Sequence, residues 1–102
     1  MLLTFKEEDM NQIIKVLNCE RRVDVLKTLE NKSMPVNKIS EKIGIPAAIV
    51  SQQLKILKAA GLVKFKQKKT ERYYSIKDKE IFSLISTIEN YGKAKPKCLG
   101  IW

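Results

Sequence analysis

"AAIVSQQLKILKAAGLV", residues 47–63, decides the fold and predicts an amphipathic helix over residues 46–60. Apolar residues at Val50, Leu54 and Leu57 recur at the spacing of one buried helical face. The opposite face is polar and basic, and the predicted helix contains no acid. The apolar face is therefore expected to pack in a core, and the polar, basic face raises the question of which ligand it contacts.

Three further helices are predicted before this stretch. The segments "EEDMNQIIKVL" (7–17) and "CERRVDVLKTLEN" (19–31) carry apolar residues at helical spacing. The third, "PVNKISEKIG", is short, opening at Pro35 and closing at Gly44, the usual asymmetry of helix ends. Its brief connection to the helix over 46–60 predicts a helix-turn-helix.

The pattern changes to alternation after this motif. "LVKFK" (62–66) and "RYYSI" (72–76) alternate as strands do, and the polar segment between them predicts a hairpin. Because "QKKTE" (67–71) contains neither Gly nor Asn, we expect a longer, mobile tip rather than a two-residue turn. "DKEIFSLISTIENYG" (78–92) predicts a last helix capped by its Asp.

These elements predict a mainly α fold with a small β-hairpin (α+β). The architecture is a winged helix-turn-helix of about five helices and a two-stranded wing. We expect residues 1–92 to form the domain, with terminal dimerisation helices, and residues 93–102 to form a C-terminal tail without periodicity. Since a 102-residue chain has a small core, its apolar terminal helices predict a homodimer. The expected dimerisation residues are Met10, Ile13, Ile14, Leu17, Ile81, Leu84, Ile85 and Ile88.

Charge and composition narrow the function. The net charge is +9, and residues 32–76 hold ten Lys/Arg against two acids, a localised field that attracts polyanions. The chain has no His, no carboxylate cluster and no Cys/His metal spacing, so we expect neither an enzyme nor a metal or cofactor site. The sequence contains no signal-peptide pattern and no run of about 18 apolar residues, which predicts a cytoplasmic protein without a membrane segment.

The predicted ligand is double-stranded DNA. In a helix-turn-helix the second helix enters the major groove, where the amide of Gln52 or Gln53 can pair with adenine. Lys55 and Lys58 would contact phosphates, and the basic wing over residues 64–72 would contact the flanking backbone or minor groove. The expected DNA-binding residues are Ala47, Ala48, Ser51, Gln52, Gln53, Lys55, Lys58, Lys66, Lys68, Lys69 and Arg72.

The segment "VSQQLKILKAAGLV" (50–63) resembles the ArsR-type (arsenical-resistance repressor) winged-helix family. That family's run is Val-Ser-x-His-Leu-x-x-Leu-x-x-Ala-Gly-Leu-Val, and Gln53 stands where His is usual. Arg22 falls at the family's usual Arg in the second helix. The resemblance implies a homodimeric transcriptional repressor paired through its first and last helices. The twofold symmetry of such a dimer predicts a pseudo-palindromic operator.

Two departures from the family bear on its metal sites. Pro35-Val36-Asn37 occupies the place of a Cys-Val-Cys metal segment, and the chain lacks the His of a second site. Metal sensing through those sites is therefore not expected here.

Two alternatives stay open. Cys19 and Cys98 are either a semi-buried thiol and a tail thiol, or a redox pair, since some relatives resemble dithiol sensors with cysteines near these helices. The nearby Lys95 and Lys97 could make Cys98 more reactive. The second alternative is a winged-helix interaction module whose basic face docks an acidic protein partner.

Overall fold

The computed structural model describes residue 13 and residues 15–92. The described helices and the single hairpin follow one another in the predicted order, with the hairpin before the last helix. This confirms the mainly helical fold with a two-stranded wing. We number as α1 the helical residues 13 and 15–17. The other elements are α2 (Glu20–Thr28), α3 (Val36–Ile43), α4 (Ala47–Ala59), β1 (Val63–Lys68), β2 (Glu71–Ile76) and α5 (Glu80–Gly92).

The turn between α3 and α4 is short and held by hydrogen bonds. Gly44 ends α3 with a left-handed φ of 70°, and its N–H donates to the Ser40 carbonyl over 2.9 Å. The Ser40 hydroxyl donates to the carbonyl of Ile45 over 2.6 Å, and Pro46 then precedes α4 in a non-helical conformation. A glycine suits the left-handed position because it has no Cβ to clash. The turn thereby fixes the angle between the two helices of the motif.

The core lies where α2, α3, α4 and the base of the wing meet. The three predicted core residues of α4, Val50, Leu54 and Leu57, are at most 1% exposed, which confirms the apolar face of this helix. They pack with other buried side chains of neighbouring elements: Val25, Leu26, Leu29, Ile39, Val63 and Tyr74. The face of α4 away from these residues is thus the one presented to solvent.

The wing is tighter than predicted. The strands pair antiparallel from Val63↔Ile76 to Lys68↔Glu71, which leaves only Lys69 and Thr70 in the turn. Lys69, the first of these two residues, adopts a positive φ of 54°. The expectation of a longer tip was wrong because a lysine takes the left-handed conformation here, at a cost of roughly 1–2 kcal/mol.

A short bridge attaches the wing to the helix-turn-helix. The Tyr74 N–H donates to the Met34 carbonyl over 2.8 Å, and the Met34 N–H donates back over 3.0 Å. Met34 lies two residues before the first residue of α3, so the bridge holds β2 against the start of the motif. The wing is therefore attached to the helix-turn-helix at the start of α3.

The last helix begins as predicted, because the Asp78 carboxylate accepts the N–H of Glu80 over 3.0 Å. Its apolar residues divide into two sets. Ile81 and Ile85 are buried in the core of the protomer, whereas Leu84 and Ile88 are 43% and 41% exposed. No helix within the described residues is both long and apolar enough to cross a membrane.

The predicted dimerisation set needs correction. Leu17, Ile81 and Ile85 are at most 8% exposed because they fill the protomer's own core, so they are not free to contact a partner. Ile13 is half-buried against that core. Met10 and Ile14 lie outside the described residues. The predicted domain over 1–92 is described in part, and the predicted tail over 93–102 lies entirely outside the described residues.

Candidate nucleic-acid interface

The exposed face of α4 carries the residues expected to read DNA. Ser51, Gln52, Lys55 and Lys58 are exposed and follow one another at spacings of one, three and three residues along this face. Ala48 is exposed before them, and Ala47 is half-buried at the start of the helix. The small alanines at the N-terminal end of α4 leave room for close approach, and the free N–H groups of that end favour a negative ligand.

Gln53 is the exception, and its predicted contact with DNA was wrong. Its side chain is 1% exposed, and its Oε1 accepts a hydrogen bond of 2.8 Å from Nε of Arg22. Neighbouring residues of a helix point about 100° apart, so Gln52 faces outward while Gln53 faces the α2 side. A side chain held in this way cannot reach a base edge.

The basic residues of the wing lie on both of its faces. Alternation along β1 places Lys64, Lys66 and Lys68 on the outer face, and all three are exposed. Arg72 pairs with Gln67 on the opposite face, the one that continues into the core at Val63 and Tyr74. Lys69 is exposed at the turn. The predicted wing residues are thus all accessible, but Arg72 alone lies on the side of α4.

An aromatic ring joins this side of the wing to α4. The Arg72 guanidinium lies 4.5 Å from the centre of the Phe65 ring, and the Lys58 ammonium lies 5.4 Å from the same centre. Cations are attracted to the face of an aromatic ring, so Phe65 holds both side chains near the junction of helix and wing. This arrangement concentrates two positive charges beside the exposed face of α4.

A cleft of about 440 Å³ separates the wing from the helix-turn-helix. Ser51 lines one wall and Arg72 the other. Three further polar residues, Asn37, Gln67 and Thr70, line it and were not predicted from the sequence. The sequence did offer a signal for these residues, because Asn37 is a polar residue at a predicted helix start and Gln67 and Thr70 are polar residues in the predicted hairpin loop. A single carboxylate, that of Glu71, also lies in the cleft.

The positive charges of this surface are not neutralised by the fold. Within residues 13 and 15–92, one ion pair joins described side chains, between Lys27 and Glu89 at 2.8 Å. None of the Lys/Arg residues between 32 and 76 pairs with a described acid. Unpaired cations around a cleft give a field that attracts a polyanion.

The other candidate sites are described only in part. Cys19 precedes α2 and is 2% exposed. Cys98 lies outside the described residues, so the role of Cys19 and Cys98 as a redox pair stays a prediction. Among the described residues, no three His, Cys, Asp or Glu side chains are grouped to hold a metal ion.

Comparison with known proteins agrees with this geometry. A model of the arsR family of bacterial regulatory proteins matches residues 19–64. The chain is 35% identical over 85 residues to an HTH-type transcriptional regulator of Methanocaldococcus jannaschii, covering 82% of this chain and 96% of that protein. It is 32% identical over 74 residues to the HTH-type transcriptional regulator KmtR of Mycobacterium tuberculosis, covering 72% of this chain and 57% of KmtR.

A solved structure shares the fold. The homodimeric winged helix-turn-helix DNA-binding domain of a Mycobacterium bovis protein superimposes with a TM-score of 0.73 at 21% identity, covering 90% of this chain and 91% of that one. These relatives are regulators and not enzymes, as expected from the composition. The match to the family model and the identity to a relative of nearly equal length place the chain in the arsR family of bacterial regulatory proteins.

Proposed function

We propose that this transcriptional regulator reads double-stranded DNA with α4 in the major groove and with its wing on the flanking backbone. Gln52 would pair with a base edge, because one amide presents both a donor and an acceptor. Ser51 would contact a base or phosphate beside it. Lys55 and Lys58 lie further along the helix and would contact phosphates.

The observation that carries this proposal is the cleft between α4 and the wing. Its two walls present Ser51 and Arg72, and Lys58 lies near Arg72 over Phe65. Phosphate contacts from side chains of this kind orient a protein on a duplex. Lys66, Lys68 and Lys69 extend the charge beyond the cleft toward the wing turn.

We further propose a homodimer that represses transcription by occupying a promoter. The exposed side chains of Leu84 and Ile88 supply the apolar surface, and the Mycobacterium bovis relative is a homodimer. Two copies related by a twofold axis would place their α4 helices in successive major grooves about 34 Å apart, which calls for a pseudo-palindrome with half-sites about 10 bp apart. Such a repressor would act in the cytoplasm, where the promoter lies.

Selection of bound duplexes from a random pool tests the proposal. We expect a two-part motif with mirror-related halves, whose affinity decreases steeply with salt. A pool that yields no enriched sequence would contradict sequence-specific binding. An acidic protein partner is the competing ligand, and gel shifts on mixed duplex DNA separate the two, since a pure interaction module should show little duplex affinity.

A further inference from the structure

We propose that the Arg22–Gln53 hydrogen bond is a positioning device that sets the rotation of α4 and thereby aims Gln52 at the base edge. This inference rests on the proposed function, in which Gln52 reads DNA. Neither Arg22 nor Gln53 would touch the duplex, because Gln53 is buried and Arg22 reaches it from α2.

One guanidinium connects three helices. Its Nε donates to Gln53 Oε1 over 2.8 Å, and its Nη1 lies 3.4 Å and 3.5 Å from the carbonyl oxygens of Lys15 and Val16. Those carbonyls belong to the last turn of α1, Arg22 stands in the first turn of α2, and Gln53 stands in the middle of α4. The rotation of α4 about its own axis is therefore restrained by hydrogen bonds that lead to the end of α1, in addition to its packing on the core.

The pair is an unfavourable choice for stability alone. Gln53 Nε2 is buried and has no hydrogen-bond partner among the described residues. Burial also lowers the pKa of Arg22 from its ordinary value, since desolvation disfavours the charged guanidinium. Apolar side chains of similar volume would fill the same space without an unpartnered donor, and such replacements are often neutral or stabilising. The hydrogen bond between half-buried Arg22 and buried Gln53 is best explained by a need to set the orientation of α4.

Direction is what the apolar contacts of α4 lack. Val50, Leu54 and Leu57 hold the helix to the core, but the hydrophobic effect has no preferred orientation. A hydrogen bond weakens steeply when its angle is lost. With a helix diameter of about 10–12 Å, a rotation of about 20° would move the tip of Gln52 by about 2 Å. A displacement of that size exceeds the tolerance of a bidentate amide–base pair.

The test compares the full-length wild type with Arg22→Leu/Gln53→Met on two duplexes, the sequence selected by the wild type and a scrambled sequence of equal composition. We expect the double variant to melt within about 3 °C of the wild type or above it. Its preference for the selected duplex over the scrambled one should fall about tenfold or more, with little change on the scrambled duplex. A merely structural pair would change melting and binding together.

Gln53→Glu serves as the conservative variant, because its carboxylate still accepts from Arg22, and we expect it to keep the sequence preference. If the double variant does not fold, the sequence preference of the Gln53→Glu variant tests the inference by itself. Wild-type preference in a folded double variant, or lost preference in a folded Gln53→Glu variant, overturns the inference. If the wild type itself prefers no duplex, the proposed function fails instead, so the two failures are distinguishable.

Discussion

Helices α4 and α5 have the same length and differ in what they expose. Each has 13 residues and buries one apolar face in the core. The exposed face of α4 is polar and basic, with Ser51, Gln52 and two lysines. By contrast, α5 exposes Leu84 and Ile88 in part and Tyr91 at 87%.

This difference shows that the role of a helix has to be inferred from its exposed face as well as from its buried face. The buried faces of α4 and α5 are alike and say only that each packs on the core. The exposed faces indicate different partners, a polyanion for α4 and an apolar surface for α5. A second copy of this chain is the partner we propose for α5, and double-stranded DNA is the one we propose for α4.

The largest expected difference between the two surfaces is the salt dependence of their binding. With about 6–10 phosphate contacts in the dimer, DNA affinity is expected to decrease about 10³–10⁵-fold between about 50 and 200 mM salt. Self-association through α5 should change little over the same range, because it depends on apolar burial. Fluorescence anisotropy on DNA and sedimentation equilibrium without DNA measure the two. Equal salt dependence of both would break the comparison.

Charges placed on the apolar surface of α5 should have the next largest effect. Leu84→Glu/Ile88→Glu is expected to dissociate the dimer and to weaken operator binding by about 10²–10⁴-fold, since each half-site would then bind alone. Sedimentation velocity and a gel shift would record it. Ser83→Glu/Ser86→Glu adds the same charge at exposed positions of α5 and should leave the dimer intact. A dimeric Leu84→Glu/Ile88→Glu variant would show that α5 is not the interface.

Removal of the Gln52 amide should act on sequence preference. Gln52→Ala is expected to cost about 1–3 kcal/mol on the selected duplex and almost nothing on a scrambled duplex. Asn90→Ala removes an exposed amide from α5 and is the matched control, with no expected effect on either duplex. Competition binding with both duplexes measures the ratio. Unchanged preference in Gln52→Ala would mean that another residue reads the bases.

The smallest expected effect belongs to the wing turn. Lys69→Ala should weaken binding about equally on every duplex and reduce the slope of log K against log salt by about 1. Anisotropy titrations at four or five salt concentrations give that slope. Loss of preference for one sequence, without a change of slope, would instead place Lys69 at a base edge.

Local patterns predicted the elements, and long-range contacts decided the exceptions. The spacing of Leu54 and Leu57, the left-handed Gly44 and the Asp78 cap are local features, and each was predictable. Helical spacing places Gln53 on the same side as Val50 and Leu57, and its polar character concealed this. Its partner Arg22 lies 31 residues earlier, so the hydrogen bond that accommodates a polar side chain there was not predictable from a local pattern.

Two further errors have similar causes. The stripe of α5 combined core residues such as Ile85 with exposed ones such as Leu84, because periodicity identifies a side of a helix but not which part of that side is covered. The turn at Lys69 differed from expectation because its tight pairing outweighs the residue's own preference.

An NMR titration of the selected duplex into the ¹⁵N-labelled protein tests the central claim most directly. We predict that the largest shift changes fall on amides of Ser51, Gln52, Lys55 and Lys58 and on the wing near Arg72. The exposed apolar residues of α5 should be unaffected. Shift changes concentrated at Leu84, Ile88 and Tyr91, with α4 unchanged, would contradict the account.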